Sequence, residues 1–172
     1  RHPARFVLVG TGNPEEGELR PQLLDRFGLS VEVKTPDDLP ARIEVVRRRD
    51  SFDRDPAEFV AVWKKDEARL RKRIVSARQM LDDVEVPDAV LEKVARLCIG
   101  LGTDGLRGEL TAMRAARALA SLEGKRSVSD DHVRRIAAPA LRHRLRRNPL
   151  DDAGSNVRIE RAVEEVFGHA PA

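Results

Sequence analysis

Along most of the chain the apolar residues recur three or four positions apart, the spacing of a helix that buries one face. Leu39, Ile43 and Val46 mark one such stretch near residues 38–52. Pro56 opens a longer one, with Phe59, Val60, Trp63, Leu70, Ile74, Ala77 and Leu81 at helical intervals. After the break at Val86-Pro87-Asp88, a third face runs through Val90, Val94, Leu97, Cys98 and Leu101, and Gly100 and Gly102 bring it to an end. Thr103-Asp104 is the expected cap of a fourth helix, whose inner face reads as Leu106, Leu110, Met113, Ala116 and Ala120. Ser129 caps a fifth, with Asp130 and Asp131 favourably placed against the positive end of the helix dipole. Its inner face is Val133, Ile136, Ala137, Ala140 and Leu141, and a last amphipathic stretch carries Val157, Ile159, Val163, Val166 and Phe167.

The first 35 or so residues break this pattern. Phe6-Val7-Leu8-Val9 is a continuous apolar run closed by Gly10-Thr11-Gly12-Asn13-Pro14, which predicts a strand covered on both faces. Pro21 opens a short helical stretch, Gln22 to Phe27, that Gly28 can close. Leu29, Val31 and Val33 alternate with Ser30 and Glu32 as a half-buried strand would. Two strands do not make a stable sheet alone, so their partners must come from elsewhere. Together with a first residue that is Arg1 rather than Met, this leads us to expect a piece of a longer protein.

Composition narrows the function classes. The chain has 172 residues, 41% of them hydrophobic and 35% charged, enough for a core and unlike a disordered tail. Aromatics are 3% with no Tyr, which disfavours stacking platforms for single-stranded nucleic acid. Cys98, the one cysteine, cannot form an internal disulfide or a cysteine-rich metal site. No apolar run approaches the ~20 residues that span a membrane. The net charge of +3 is small beside 32 basic and 29 acidic residues, so it says little about partners. His2, His132, His143 and His169 are scattered without zinc-ligand spacing, and no catalytic triad is evident.

Four features can carry chemistry. Gly12 and Gly17 have the spacing of a phosphate loop, but Glu18 stands where a lysine is required and would repel phosphate. Asn13 follows the predicted strand, at the edge where open α/β sheets bind ligands, although a turn asparagine bonded to its own backbone is the commoner case. Arg26 has a guanidinium suited to bidentate phosphate contact, against the more frequent reading of a solvated surface charge. Arg107, near a helix N-terminus, is unfavourable with the dipole unless it faces an anion. The run from His132 to Leu150 holds Arg134, Arg135, Arg142, Arg144, Arg146 and Arg147 with no acid, which reads more readily as a solvated face or protein-docking surface than as a nucleic-acid patch.

The block Gly10-Thr11-Gly12-Asn13-Pro14-Glu15-Glu16-Gly17-Glu18-Leu19-Arg20-Pro21-Gln22-Leu23-Leu24-Asp25-Arg26-Phe27-Gly28 resembles the sensor-1 to arginine-finger region of AAA+ ATPases, and more narrowly that of the ATPase subunits of magnesium chelatases. Asp104-Gly105-Leu106-Arg107-Gly108-Glu109-Leu110 resembles their sensor-2 segment, and the stretch from Ala140 to Leu150 their C-terminal motif. The resemblance implies a mainly α fold: C-terminal strands of an AAA+ P-loop α/β core at 1–36, a helical connector at 37–83 and an α-helical bundle at 84–172. It implies that Asn13 is sensor 1, Arg26 an arginine finger acting on the neighbouring subunit's nucleotide, and Arg107 the sensor-2 residue on the ATP phosphates. ATP and Mg2+ would be the cofactors of the complete protein, a ring, expected to be hexameric, its assembly, and a second AAA+-like subunit and, indirectly, a porphyrin-binding subunit its partners. The implied activity is insertion of Mg2+ into protoporphyrin IX, in the bacterial cytoplasm or the plastid stroma. No Walker A lysine or Walker B acid is present in these residues, so the chain by itself is expected to be inactive. Another AAA+ ring ATPase, MoxR-like or helicase-like, and a non-enzymatic helical docking module are the alternatives.

Overall fold

The computed structural model describes residues 6–13, 20–103, 105–145 and 154–168. Among these residues seven α-helices follow one another: α1 (Pro21–Leu24), α2 (Leu39–Arg54), α3 (Pro56–Met80), α4 (Asp88–Leu101), α5 (Arg107–Leu122), α6 (Asp130–Leu141) and α7 (Ser155–Phe167), with single 3-10 turns at Leu81–Asp83 and Arg142–Arg144. The mainly helical expectation holds. No ladder forms among the described residues: Phe6–Val9, Leu29, Val31 and Val33 are irregular and exposed. These stretches have the pattern of strands but no neighbouring strand to receive their hydrogen bonds, and a lone strand has no stability of its own.

Local signals set the boundaries of these helices. Asp38 and Asp55 cap α2 and α3, their carboxylates accepting the Ala41 and Glu58 amides at 2.9 Å. Gly102 closes α4 with φ +66°, a left-handed geometry at which its amide reaches the Cys98 and Ile99 carbonyls. Thr103 does not cap α5 as expected; its hydroxyl turns back to the Cys98 carbonyl at 3.2 Å, and Asp104 lies outside the described residues.

The buried core belongs to α4–α7. The predicted faces of α4 (Val90, Val94, Leu97, Cys98, Leu101) and α6 (Val133, Ile136, Ala137, Ala140, Leu141) are buried residue for residue. On α5, Ala116 and Ala120 are buried as read, but Gly108, Ala112 and Ser121 complete the buried stripe, while Leu106 is 74% and Leu110 45% exposed. The reason is proximity. A Cβ on Gly108 would sit 3.1 Å from the Thr103 hydroxyl and 3.4 Å from the Cys98 sulfur, so only small residues let α5 lie against its neighbours. On α7, Ile159 is buried, Val163, Val166 and Phe167 pack on the core, and Val157 is exposed.

The segment before α4 is pinned to the one before α6. Glu85 donates to Arg126 and Val128 donates back to Glu85, both at 2.9 Å, burying Val84 and Val128. By contrast α2 and α3 bury no residue, and Leu39, Ile43, Val46, Val60, Leu70 and Ile74 are exposed despite their helical spacing. The far half of α3 is tied to the bundle by the Ser121 hydroxyl on the Ala77 carbonyl and by Arg73 on the Leu122 carbonyl, at 2.5 and 2.9 Å.

Candidate functional site

Asn13 lies exposed on the irregular stretch 6–13; residues 14–19, which follow it, are outside the described set. Arg26 sits just past α1, in a tight turn where its amide bonds the Leu23 carbonyl at 3.0 Å and the Phe27 amide bonds Leu24 at 3.0 Å. Its side chain is exposed. Arg107 begins α5, 60% exposed, and its Nη1 pairs with an oxygen of Asp25. The structure therefore brings Arg107 against the residue next to Arg26, and places Asn13 only as an exposed residue of the preceding stretch.

Asp25 has a second cation. Arg144, 4% exposed, donates Nη1 to the other Asp25 carboxylate oxygen and to the Asp25 carbonyl at 2.8 Å. Its Nη2 reaches the Phe27 carbonyl at 2.7 Å, and its Nε the Ala140 carbonyl at 3.1 Å. Burial pushes the Arg144 guanidinium below its usual pKa, and the nearby Arg107 charge pushes the same way. A buried guanidinium is tolerable only when its donors are used and an anion faces it; Arg144 meets both conditions.

The end of α6 explains why this contact forms where it does. The last carbonyls of a helix have no partners inside it. Arg142 donates its amide to Ala138, Ser30 donates across the chain to Pro139 at 2.8 Å, and Arg144 takes Ala140. His143 Nε2 lies 3.1 Å from the Phe27 carbonyl and donates to it, and Arg142 Nη1 is 3.5 Å from a Glu32 oxygen. Burial, and then the charges of Arg144 and Arg142, hold His143 below its ordinary pKa. Three consecutive basic residues at the negative end of α6 thus grip residues 25–32.

The basic run is accordingly no single solvated face where it is described. Arg134 bonds the Phe167 and Gly168 carbonyls at the end of α7 and lies 5.4 Å from the Phe167 ring centre. Arg135 pairs with Glu123 and Asp131, and the Arg135 hydrogen bond holds the Glu123 carboxyl below its usual range. Arg146 and Arg147 fall outside the described residues. Buried His132 accepts the Ser129 amide on Nδ1 at 2.9 Å and donates Nε2 to Glu123 at 3.2 Å, fastening the start of α6.

Asp25 and Arg144 were invisible as a pair in the sequence. The only hint was an acid beside Arg26 and a long basic run lacking any acid of its own. For the cofactors the fit is partial. Arg26 and Arg107 offer guanidinium groups of the kind that bind phosphate, whereas no cluster of three or more His, Cys, Asp and Glu side chains able to hold a metal occurs among the described residues. A cleft lined by Arg47, Arg48, Phe59 and Trp63 lies between α2 and α3 and contains none of the three candidates. No helix among the described residues is long and apolar enough to cross a membrane.

Residues 91–166 match the family model of the AAA lid domain. The whole chain aligns further: it is 62% identical over 170 residues to the magnesium-chelatase 38 kDa subunit of Acidiphilium rubrum, covering 99% of this chain and 49% of that protein. Over its length the chain is similar to magnesium-chelatase subunits. The Chlorobaculum tepidum 38 kDa subunit is 52% identical over 172 residues, 100% of this chain and 44% of that one. The ChlI subunit of Anabaena variabilis is 44% identical over 168 residues, 98% and 50% respectively. The chain spans about half the length of the curated relatives it matches. In three dimensions it resembles the crystal structure of an ATPase from Cytophaga hutchinsonii, with TM-score 0.61 over 86% of this chain and 48% of that one, at 16% identity, a likeness of fold alone.

Proposed function

We propose that the complete protein is the AAA+ motor of a magnesium chelatase, in which ATP hydrolysis in a ring drives Mg2+ into protoporphyrin IX. What carries the reading is identity above 60% to a magnesium-chelatase subunit over nearly the whole chain. The division that fits it is a nucleotide-binding part ending near residue 36, a helical connector over 37–83 and a lid bundle over 84–172. Asn13 is sensor 1, beside the terminal phosphate and attacking water. Arg26 is the finger that reaches the nucleotide of the adjacent subunit, and Arg107 is the sensor-2 contact to the ATP phosphates. Support for the last two is that Arg107 pairs with Asp25, the residue next to Arg26, while the Arg26 side chain is exposed.

The ring is expected to be hexameric, with a second AAA+-like subunit passing its motion to the porphyrin-binding subunit, in the bacterial cytoplasm or plastid stroma. ATP and Mg2+ would be held mainly by residues not in this chain. A guanidinium supplied in trans to the transferring phosphoryl group adds ~10³–10⁵ in rate. Arg26→Ala in the complete protein should therefore bind ATP nearly normally and lose hydrolysis in the assembled ring by about that factor, read by steady-state ATPase assay and nucleotide titration. Normal turnover in that variant would sink the finger assignment.

A further inference from the structure

We propose that Arg144 is a positioning residue for Arg26, fixing the backbone on both sides of the finger from the far end of the lid bundle; the proposal rests on the finger reading above. Arg144 is 4% exposed and makes no use of solvent. Its planar fork holds the carbonyl of residue 25 at 2.8 Å and that of residue 27 at 2.7 Å, the two residues flanking Arg26, and its charge faces the Asp25 carboxylate. The remaining nitrogen is anchored on the Ala140 carbonyl at 3.1 Å, so the grip is referred to α6 and not to a mobile side chain. His143 adds a second donor to Phe27, and the Ser30 amide on Pro139 holds the exit of the segment.

Arg26 itself is exposed, and no ion pair or hydrogen bond of its side chain occurs among the described residues. The division of labour is therefore a free head on a fixed stem. α1 is four residues long and too short to hold that stem alone. A lysine at 144 would keep the charge opposite Asp25 but, as a point donor, could not span two carbonyls and a carboxylate in one plane.

The test uses the complete protein in its assembled ring. Arg144→Lys should lower kcat for ATP by about 10²-fold, the scale of a misplacement near 1 Å, with KM within about twofold. Arg26→Ala/Arg144→Lys should be no slower than Arg26→Ala, because a stem matters only while it carries its head. Added guanidinium should partly restore kcat to Arg144→Ala and leave Arg26→Ala/Arg144→Ala unchanged. Impaired Arg26→Ala with normal Arg144→Lys would overturn the positioning role alone. Multiplicative losses in the double variant would overturn it too, by showing independent actions. Normal turnover by Arg26→Ala would remove the finger and this proposal together. Should the substitutions at 144 unfold the chain, amide exchange in the unsubstituted protein decides: Ser30 should be protected to the level of α6, and rapid exchange there would overturn the docked stem.

Discussion

The α2–α3 hairpin and the α4–α7 bundle are written in the same hydrophobic code and come out differently. Both repeat apolar residues at helical spacing, and both form the helices that spacing predicts. In the bundle the apolar faces close on one another, and Leu97, Val133 and Leu141 are fully buried. In the hairpin no residue is buried, and the helices are held by local devices: the ion pairs Arg48–Glu44, Arg49–Asp53 and Arg54–Asp50, and an aromatic row in which Phe59 lies 5.7 Å from Phe52 and 6.1 Å from Trp63, with Arg48 over Trp63. Periodicity states that a helix has a face. It does not state that anything covers the face.

Truncation is the strongest way to separate the two regions. Leu97→Ala should cost the bundle ~2–5 kcal/mol, the range for a fully buried leucine, whereas Val60→Ala on α3 should cost less than about 1 kcal/mol; denaturant titration of both variants measures the contrast. Equal losses would mean that the hairpin is covered in solution. A second blow falls on the small-residue stripe. Gly108→Val should destabilise by ~1–3 kcal/mol, since its side chain enters space already held by Thr103 and Cys98, and a rise or no change in thermal midpoint would contradict the close approach of α5.

Acid acts on the bundle through His143. Its pKa is lowered in the fold from the ordinary 6.5, so below that value the unfolded chain takes a proton that the fold resists, and stability falls with pH until the folded pKa is passed. Thermal midpoints should therefore decline from about pH 6.5 downward, and His143→Gln should flatten that limb. The hairpin predicts the smallest effect: Glu44→Gln, which weakens an exposed pair one turn apart, should cost only ~0.2–0.5 kcal/mol, read as a small loss of helical signal on heating.

How much of this was legible follows the range of the interactions. The faces of α4 and α6 could be read because large apolar residues at helical spacing filled them and the bundle did bury them. On α5, Ala116 and Ala120 were read correctly, but the start of the face was misread because Leu106 and Leu110 outrank glycine and alanine on any hydrophobic scale, while the decisive quantity was the gap between helices. Asn13, Arg26 and Arg107 stood out by type and by resemblance to known motifs. Asp25 and Arg144 did not, since nothing local tells an acid at the end of a four-residue helix that its partner lies 119 positions on.

That separation has a consequence for how the molecule assembles. Closing a loop of more than a hundred residues is entropically slow to reward, and its contacts form after local ones. The hairpin and the helices of the bundle can form from neighbours in sequence, but the turn at residues 25–28 has to wait for α6 to be built and its carbonyl end exposed. Its ordering is therefore expected late in folding, leaving this turn unset in a nascent or partly unfolded chain however well its other helices have formed.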